Sequence, residues 1–277
     1  MEAAGTTGAT GAMGAIGAII ASALADLSGG LARWRVWVAL ASEDIFDQHR
    51  RTTLGPLWLL VNYFAFAATF IFVFTPAPRD PRQAIYIGVG LLVWTYISDT
   101  IGQAVSLFER EEGFIKGTTL PLSVYVMRLV LQNLIRSGYA LIGCVVILLL
   151  AGVAVTGAWA WSAAGVALVL AASPAVVIAI AFLGVFFPDS QFIVANLMRV
   201  AMFVSPVFWG DPGGDSLRSA LYVWNPFTYF ITIVREPIVD GTAPLHALAI
   251  CLALGLAIWA GALLLLGAFR RQVALIL

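Results

Sequence analysis

Long apolar runs limit what this chain can fold into more than any other feature of its sequence. A helix needs about 20 mostly apolar residues to cross the hydrocarbon core of a bilayer. Because 61% of the residues are hydrophobic and only 11% are charged, most of the molecular surface must be as apolar as the interior. We therefore predict an all-α membrane protein with six transmembrane helices, at residues 54–74, 84–107, 124–155, 160–187, 192–209 and 245–269.

A seventh apolar run, Leu221 to Val234, is too short to cross the membrane as one helix. It has 14 residues and carries Asn225-Pro226 in its middle, where proline removes a backbone hydrogen bond. Irregular backbone at membrane depth is tolerated only where protein or water satisfies its polar groups. The sequence therefore predicts a re-entrant helical segment, and we expect residues 211–243 to line the mouth of a cavity.

The distribution of basic residues predicts the orientation of the spans. With the N-terminus in the cytosol, nine basic residues lie inside and four outside, which satisfies the positive-inside rule, and six spans return the C-terminus to the cytosol. A net charge of zero also argues against a nucleic-acid partner, because phosphate recognition needs a surplus of basic residues. The inside residues are Arg33, Arg35, Arg50, Arg51, Arg110, Lys116, Arg128, Arg270 and Arg271, and the outside residues are Arg79, Arg82, Arg218 and Arg235.

The chain ahead of the first predicted span divides into two parts. Residues 1–30 are rich in glycine and alanine, and we expect a poorly ordered tail of minor functional importance. Residues 31–49 place apolar side chains on one helical face and most charged ones on the other, which predicts an amphipathic helix in the headgroup layer with Trp34 and Trp37 as anchors. Residues 31–277 are then expected to form a single transmembrane domain.

The sequence lacks the common motifs of catalysis. The only lysine, Lys116, lies in Ile-Lys-Gly, so it cannot belong to a phosphate-binding P-loop. His49 and His246 are separated by most of the chain, which argues against a zinc site. We therefore predict that this chain is not an enzyme and binds no metal. A membrane-embedded enzyme is the alternative of another class, and its candidate carboxylates are Glu109, Glu111, Glu112, Asp211, Asp215 and Asp240.

Charge is densest between the second and third predicted spans. Residues 109–116 read Glu-Arg-Glu-Glu-Gly-Phe-Ile-Lys. One interpretation is a solvated loop. The other is a short docking helix, in which Phe114 and Ile115 offer apolar surface while the charges set the register with a protein partner. No compact soluble domain is evident in the sequence, so the energy for any work must come from elsewhere.

Two sets of motifs resemble those of a known transporter family. Residues 49–58 read His-Arg-Arg-Thr-Thr-Leu-Gly-Pro-Leu-Trp and enter the first span. Residues 205–208 read Ser-Pro-Val-Phe, and residues 224–229 read Trp-Asn-Pro-Phe-Thr-Tyr. Together they resemble the permeases of ABC exporters that move polysaccharides such as O-antigen, capsule and teichoic acid. The resemblance extends from about residue 31 to the end of the chain, so it leaves out the glycine-rich tail.

The resemblance implies a multi-pass permease of the bacterial inner membrane that exports a lipid-linked polysaccharide. Such a permease forms a homodimer and pairs with two copies of a separate ATP-binding subunit. This chain would contact membrane lipids and bind no cofactor, whereas the partner subunit would bind ATP and magnesium and carry the ATPase activity. Exporters of drugs or lipids share the Ser-Pro and Asn-Pro elements, and a membrane-embedded glycan-processing enzyme is the alternative of another class.

The resemblance also implies roles for three segments. The helix at residues 31–49 would be an interface element, and the charged loop would be the coupling helix that receives the motion of the ATP-binding subunit. The re-entrant segment would form a pair of periplasmic gate helices. The coupling residues would be Glu109, Arg110, Glu111, Glu112, Phe114, Ile115 and Lys116, and the gate residues Trp224, Asn225, Pro226, Phe227 and Tyr229.

Two helical stripes are candidates to line a path for a sugar polymer. Aromatic rings offer apolar faces to sugar C–H groups without holding them by fixed hydrogen bonds, although helix packing also explains an aromatic stripe. A charged residue inside a span indicates a water-filled path, a buried partner or snorkelling to the headgroups. The candidates are Tyr63, Phe66, Phe70 and Phe74 in the first span and Asn196, Arg199 and Phe203 in the fifth.

One further pair of charges lies within the predicted spans. Asp99 and Arg136 fall at comparable depths in the second and third spans. Because an isolated charge in the membrane is costly, we expect opposite charges at equal depth to pair. The sequence therefore predicts a structural salt bridge between these two side chains.

Overall fold

The computed structural model describes residues 4–75, 80–210, 213–214 and 216–277, and it is helical throughout its regular parts. The side chains before Gly14 are not described, and Arg79, Asp211 and Asp215 lie outside the described residues. The helices are α1 (Ala4–Ala32), α2 (Trp34–His49), α3 (Leu57–Phe74), α4 (Pro81–Ala104), α5 (Leu107–Arg110), α6 (Glu112–Gly117), α7 (Leu122–Leu150), α8 (Trp159–Phe186), α9 (Ser190–Val204), α10 (Leu217–Trp224), α11 (Pro226–Val239) and α12 (Leu245–Ile276).

Six of the described helices are long and apolar enough to cross a membrane, which confirms the predicted fold class and number. One of these six helices differs from the six spans predicted from the sequence. The set contains Gly14–Ala32 of α1 along with α3, α4, α7, α8 and α12, whereas α9 has only 15 residues and spans about 22 Å. The physical reason is Pro206, which cannot donate the next helical hydrogen bond, so residues 205–209 leave the helix.

The expectation of a poorly ordered tail is corrected, because residues 4–30 belong to α1. Ala23 and Leu27 are buried in an apolar core with residues of α7 and α12. Gly267 of α12 lets the backbones of α1 and α12 touch, because any side chain at position 267 would overlap the carbonyl oxygen of Ile19. Tertiary packing against α7 and α12 therefore holds the second half of α1, from Ile19 onward.

α2 follows α1 after a break at Arg33 and corresponds to the amphipathic helix predicted at residues 31–49. The indole nitrogen of Trp37 donates to the carbonyl oxygen of Gly30, which fixes the corner between α1 and α2. Trp34 is exposed, whereas Ala41 and Ile45, which lie further along the same helical face, are buried. α2 packs along the first half of α7, so it lies beside the bundle at one end.

The bundle has two apolar cores and two chemically different ends. One core joins α3, α4, α7, α8, α9, α11 and α12, and the other joins α1, the end of α4, the α5–α6 segment, α7, α8 and α12. Helices α4, α7, α8 and α12 contribute to both cores. We call the end that contains Asp44 and Arg128 the charged end, and the opposite end, which contains Arg82 and Asp240, the far end.

Candidate coupling segment and transport path

α5 and α6 form the coupling segment that the sequence predicts between the second and third spans. Leu107 and Phe108 of α5 are buried and anchor it to the bundle. Phe114 on α6 is 51% exposed, whereas Ile115 is buried, so only the first of the two apolar side chains offers free surface. A side chain at Gly184 of α8 would overlap the carbonyl oxygen of Val105, so the start of the segment lies in backbone contact with α8.

Ion pairs tie the coupling segment to α2 and α7. The guanidinium of Arg128 donates to both carboxylate oxygens of Asp44, at 2.7 and 2.8 Å, and to Glu111 at 2.6 Å. The side chain of Arg128 is 12% exposed and that of Glu111 is 14% exposed, so water screens these pairs only weakly. Burial raises the pKa of the Glu111 carboxyl, while Arg128 opposes that shift. A second, more exposed pair joins Lys116 to Glu112 at 2.6 Å within α6.

A cavity of about 590 Å³ lies between α3, α4 and α9. It brings together Phe66 and Phe203, which are candidates from the two predicted stripes, and Arg199 from the polar stripe. Asp99 and Gln103 of α4 line the same cavity. The cavity thus combines aromatic faces with charged and amide groups, a mixture that suits a polar ligand with apolar C–H patches.

The aromatic stripe of the first span is divided between packing and the cavity. Tyr63 is buried, and its hydroxyl donates to the carbonyl oxygen of Gly88 at 2.8 Å. Phe70 and Phe74 stack on Phe208, with ring centroids 4.1 and 5.2 Å apart. Only Phe66 among the four lines the cavity between α3, α4 and α9. The packing interpretation therefore holds for Tyr63, Phe70 and Phe74 in the isolated chain.

The polar groups within the spans have different partners from those expected. Arg199 lies 3.5 Å from the amide oxygen of Asn196, and both side chains are exposed in the isolated chain. Arg136 donates to Gln103 and Asn133 at 2.6 and 3.0 Å, rather than forming the salt bridge predicted with Asp99. The amide oxygens lie closer to the guanidinium because Asn133 is on the same helical face, one turn away.

The predicted gate segment consists of α10 and α11, which meet at Asn225. The side chain of Asn225 accepts from the backbone N–H of Phe227 at 2.9 Å and caps α11, where Pro226 occupies the first position. Its amide nitrogen donates to the hydroxyl of Ser205 at 2.9 Å. Trp224 is exposed, whereas the hydroxyl of Tyr229 donates to Val223 and ties α11 back to α10.

Side chains from α4 and α11 satisfy the irregular backbone after α9. Arg235, placed by the sequence among the loop residues outside the membrane, is in fact 3% exposed, and it donates to the carbonyl oxygen of Pro206 at 2.7 Å. Its guanidinium lies 3.6 Å from the centre of the Tyr86 ring. The hydroxyl of Tyr86 donates to the carbonyl oxygen of Trp209 at 2.9 Å. The irregular segment therefore meets the requirement that backbone at membrane depth be satisfied by protein.

Sequence reasoning missed the residues that hold this site together. Asp44 and Phe208 were not identified as site residues, and Arg235 was counted only among the basic residues outside the membrane, without the buried partners that it has. Asp44 lies 84 residues from its partner Arg128, so no local pattern links them. The one available signal was Arg235, a basic residue inside an otherwise apolar helical pattern, which indicates a buried partner or a path.

Six described helices that are long and apolar enough to cross a membrane define a multi-pass membrane protein. The molecule also has a charged segment at one end and a cavity lined by polar and aromatic side chains between α3, α4 and α9. Residues 35–239 match the ABC-2 type transporter family, and the chain belongs to this family.

Two curated relatives share much of the chain. The O-antigen export system permease protein RfbA of Myxococcus xanthus is 26% identical over 225 residues, which cover 76% of this chain and 85% of the relative. The protein of the same name from Klebsiella pneumoniae is 22% identical over 211 residues, which cover 74% of this chain and 80% of the relative. All of α1 lies ahead of the residues that match the family.

Proposed function

We propose that this chain is the permease subunit of an ABC exporter that moves a lipid-linked polysaccharide of the O-antigen type outward across the bacterial inner membrane. Family membership supports the transporter class, and the two relatives are named as O-antigen export permeases. The chain would act as a transport subunit, while a separate subunit would bind ATP and magnesium and hydrolyse the nucleotide.

The cavity between α3, α4 and α9 is the observation that carries this proposal. Phe66 and Phe203 offer ring faces to the C–H groups of sugars, and Asp99 and Arg199 offer partners to hydroxyl groups. α4 runs from this cavity toward α5, so a displacement of the coupling segment would reach the cavity wall directly. The geometry therefore supports mechanical coupling between a partner at the charged end and a path through the membrane.

A second copy of the chain would complete the path. Phe66, Asn196, Arg199 and Phe203 are exposed in the isolated chain, although a charged side chain facing lipid at this depth would be costly. A homodimer that joins two such faces would enclose them and leave two coupling segments. Each coupling segment would then receive one ATP-binding subunit, which gives a complex of two permeases and two ATPases.

The charged end would face the cytosol, and the far end, with α10 and α11, would face the periplasm. This orientation puts the C-terminus in the cytosol, as the basic residues predict. The basic residues also predict a cytosolic N-terminus. That location requires α1 to lie at the membrane surface instead of crossing the bilayer. A crossing by α1, which is long and apolar enough to span, would place Met1 in the periplasm instead. A reporter fused to the N-terminus distinguishes these two arrangements.

Isolation of the chain together with a candidate ATP-binding subunit, sought first in the adjacent reading frame, tests the proposal. We expect a stable complex whose ATP hydrolysis depends on the permease, and cells that display the polysaccharide only when both subunits are present. In the coupling segment, Phe114→Ala should lower the amount of surface polysaccharide because it removes exposed apolar contact area. The matched control is Phe72→Ala, which changes an exposed phenylalanine near the C-terminal end of α3, away from the coupling segment.

The outcomes separate this proposal from its rivals. Failure of the two subunits to associate, or equal export by Phe114→Ala and the unmodified chain, would contradict the proposal. ATP hydrolysis stimulated by a drug or a lipid, and not by the polysaccharide, would support the alternative substrate class.

A further inference from the structure

α7 begins directly after the coupling segment but has no capping side chain of its own. Its N-cap residue is Pro121, which offers no side-chain acceptor. The first backbone N–H groups of a helix have no partner within the helix, and burial without a partner is costly. Leu122 and Ser123 are both buried, so their N–H groups need an acceptor from another element.

Asp26 of α1 provides that acceptor. Its carboxylate accepts from the N–H of Ser123 at 3.0 Å and from the N–H of Leu122 at 3.3 Å. In return, the hydroxyl of Ser123 donates to the backbone carbonyl oxygen of Asp26 at 2.7 Å. Asp26 is only 6% exposed, and a carboxylate at a helix N-terminus also interacts favourably with the helix dipole.

α1 connects this contact to α12. A side chain at Gly30 would overlap the hydroxyl of Ser123, so α1 meets α7 at backbone distance. The guanidinium of Arg270 on α12 lies 3.7 Å from the carboxylate of Asp26. The first turn of α7 is therefore joined through Asp26 of α1 to α12.

The coupling segment reaches α7 through a link of only four residues, 118–121. Thr118 closes α6, since its N–H and its hydroxyl both donate to the carbonyl oxygen of Phe114, at 3.0 and 2.8 Å. Pro121 at the other end of the link packs beside Gly29 of α1. Along the backbone, a displacement of α6 therefore reaches α7 at the turn that Asp26 holds, while the ion pair between Glu111 and Arg128 contacts α7 further along.

We propose that Asp26 is a positioning residue for coupling, because it fixes the first turn of α7 to α1 and α12. A push on the coupling segment then moves α7 as a whole, instead of unwinding its first turn. The inference rests on the proposed function, and it gives a role to a helix that lies entirely outside the part of the chain matched by the family.

Amide hydrogen exchange of the purified permease–ATPase complex tests the contact itself. In Asp26→Ala, the amides of residues 122 and 123 should exchange roughly fivefold faster or more, as expected for a lost helix cap. The control is Asp47→Ala, because that carboxylate is exposed and its ion pair with Arg50 spans 3.9 Å. Unchanged exchange at residues 122 and 123 in Asp26→Ala would overturn the proposal.

The ratio of export to ATP hydrolysis tests the positioning role. We expect Asp26→Ala to retain ATP hydrolysis by the complex but to display several-fold less surface polysaccharide per assembled complex. Asp26→Asn keeps one oxygen acceptor, so its export per complex should lie between that of Asp26→Ala and that of the unmodified chain. This variant replaces Asp26→Ala in the test if Asp26→Ala does not assemble. An equal loss of both activities would show a purely structural role and contradict the proposal.

The same experiments separate a failure of this inference from a failure of the proposed function. A complex of the unmodified chain that neither exports polysaccharide nor hydrolyses ATP would overturn the proposed function. A working complex whose coupling ratio is unchanged in Asp26→Ala and Asp26→Asn would overturn only the role of Asp26.

Discussion

The two ends of the bundle are held together by different chemistry. At the charged end, Arg128 joins three elements through ion pairs with Asp44 and Glu111. At the far end, Arg235 and Asn225 bind neutral groups, and Arg235 holds a backbone carbonyl oxygen. The first end is built from charges on helices that are distant in sequence. The second is built mainly from hydrogen bonds around an irregular segment, and its ion pair between Arg82 and Asp240 is exposed to solvent.

This difference matches two mechanical roles. The Coulomb attraction between ions falls off gradually with distance, so ion pairs tolerate small displacements of their helices. A hydrogen bond to a backbone carbonyl weakens steeply once its distance and angle depart from a narrow range. The charged end is thus suited to move with a partner, and the far end is suited to remain a rigid rim.

Replacement of Arg128 should produce the largest effect. Arg128→Ala leaves the carboxylates of Asp44 and Glu111 without their shared partner, and loss of one member of a buried pair costs about 3 kcal/mol or more. We expect the free energy of unfolding in detergent, measured by titration with SDS, to fall by about that amount. Arg35→Ala, which removes an arginine from the same helix as Asp44, is the control. A change as small as that of the control would show that the ion pairs do not hold α2 to α7.

Replacement of Arg235 should affect the far end somewhat less. Arg235→Met keeps the length of the side chain but leaves the carbonyl oxygen of Pro206 unbonded, which costs about 1–3 kcal/mol. The same SDS titration measures the loss. Arg218→Met, an exposed arginine of α10, is the matched control. A more stable Arg235→Met protein would show that desolvation of the guanidinium outweighs its hydrogen bond, and the far end would then be under strain.

Much of the fold could be predicted because it depends on local sequence. The apolar runs located α3, α4, α7, α8 and α12, and Pro206 explains why α9 is short. α1 could not be predicted in the same way. Its helical state depends on packing against α7 and α12, and no property of its own repeated glycines reveals those neighbours.

The candidate site was predictable only as a set of segments. The charge cluster at residues 109–116 located the coupling segment, and periodicity located the stripes. Periodicity shows which side chains share a face, but it does not show what lies across from that face. Tyr63 therefore turned out to be bound to Gly88 inside the bundle, while Phe66 lines the cavity.

Loss of the cap on α11 should have a moderate effect. Asn225→Ala removes the acceptor for the N–H of Phe227 and the donor to Ser205, and a lost cap costs about 1 kcal/mol. Thermal unfolding of the purified protein should show the loss. Ser216→Ala, which removes the corresponding cap of the exposed helix α10, is the control and should cost less. Equal losses would show that the contact with Ser205 adds nothing to the rigidity of the far end.

The smallest effect is expected within the coupling segment itself. Lys116 and Glu112 are each 44% exposed, and an exposed pair one helical turn apart stabilises by only about 0.3–0.5 kcal/mol. Lys116→Gln should therefore hardly change unfolding, and the difference should vanish at about 1 M salt, where the Debye length is about 3 Å. The loss caused by Arg128→Ala should persist at that salt concentration, because its ion pairs are shielded from water. If salt abolished both differences equally, the charged end would behave as an ordinary solvated surface, and its contrast with the far end would disappear.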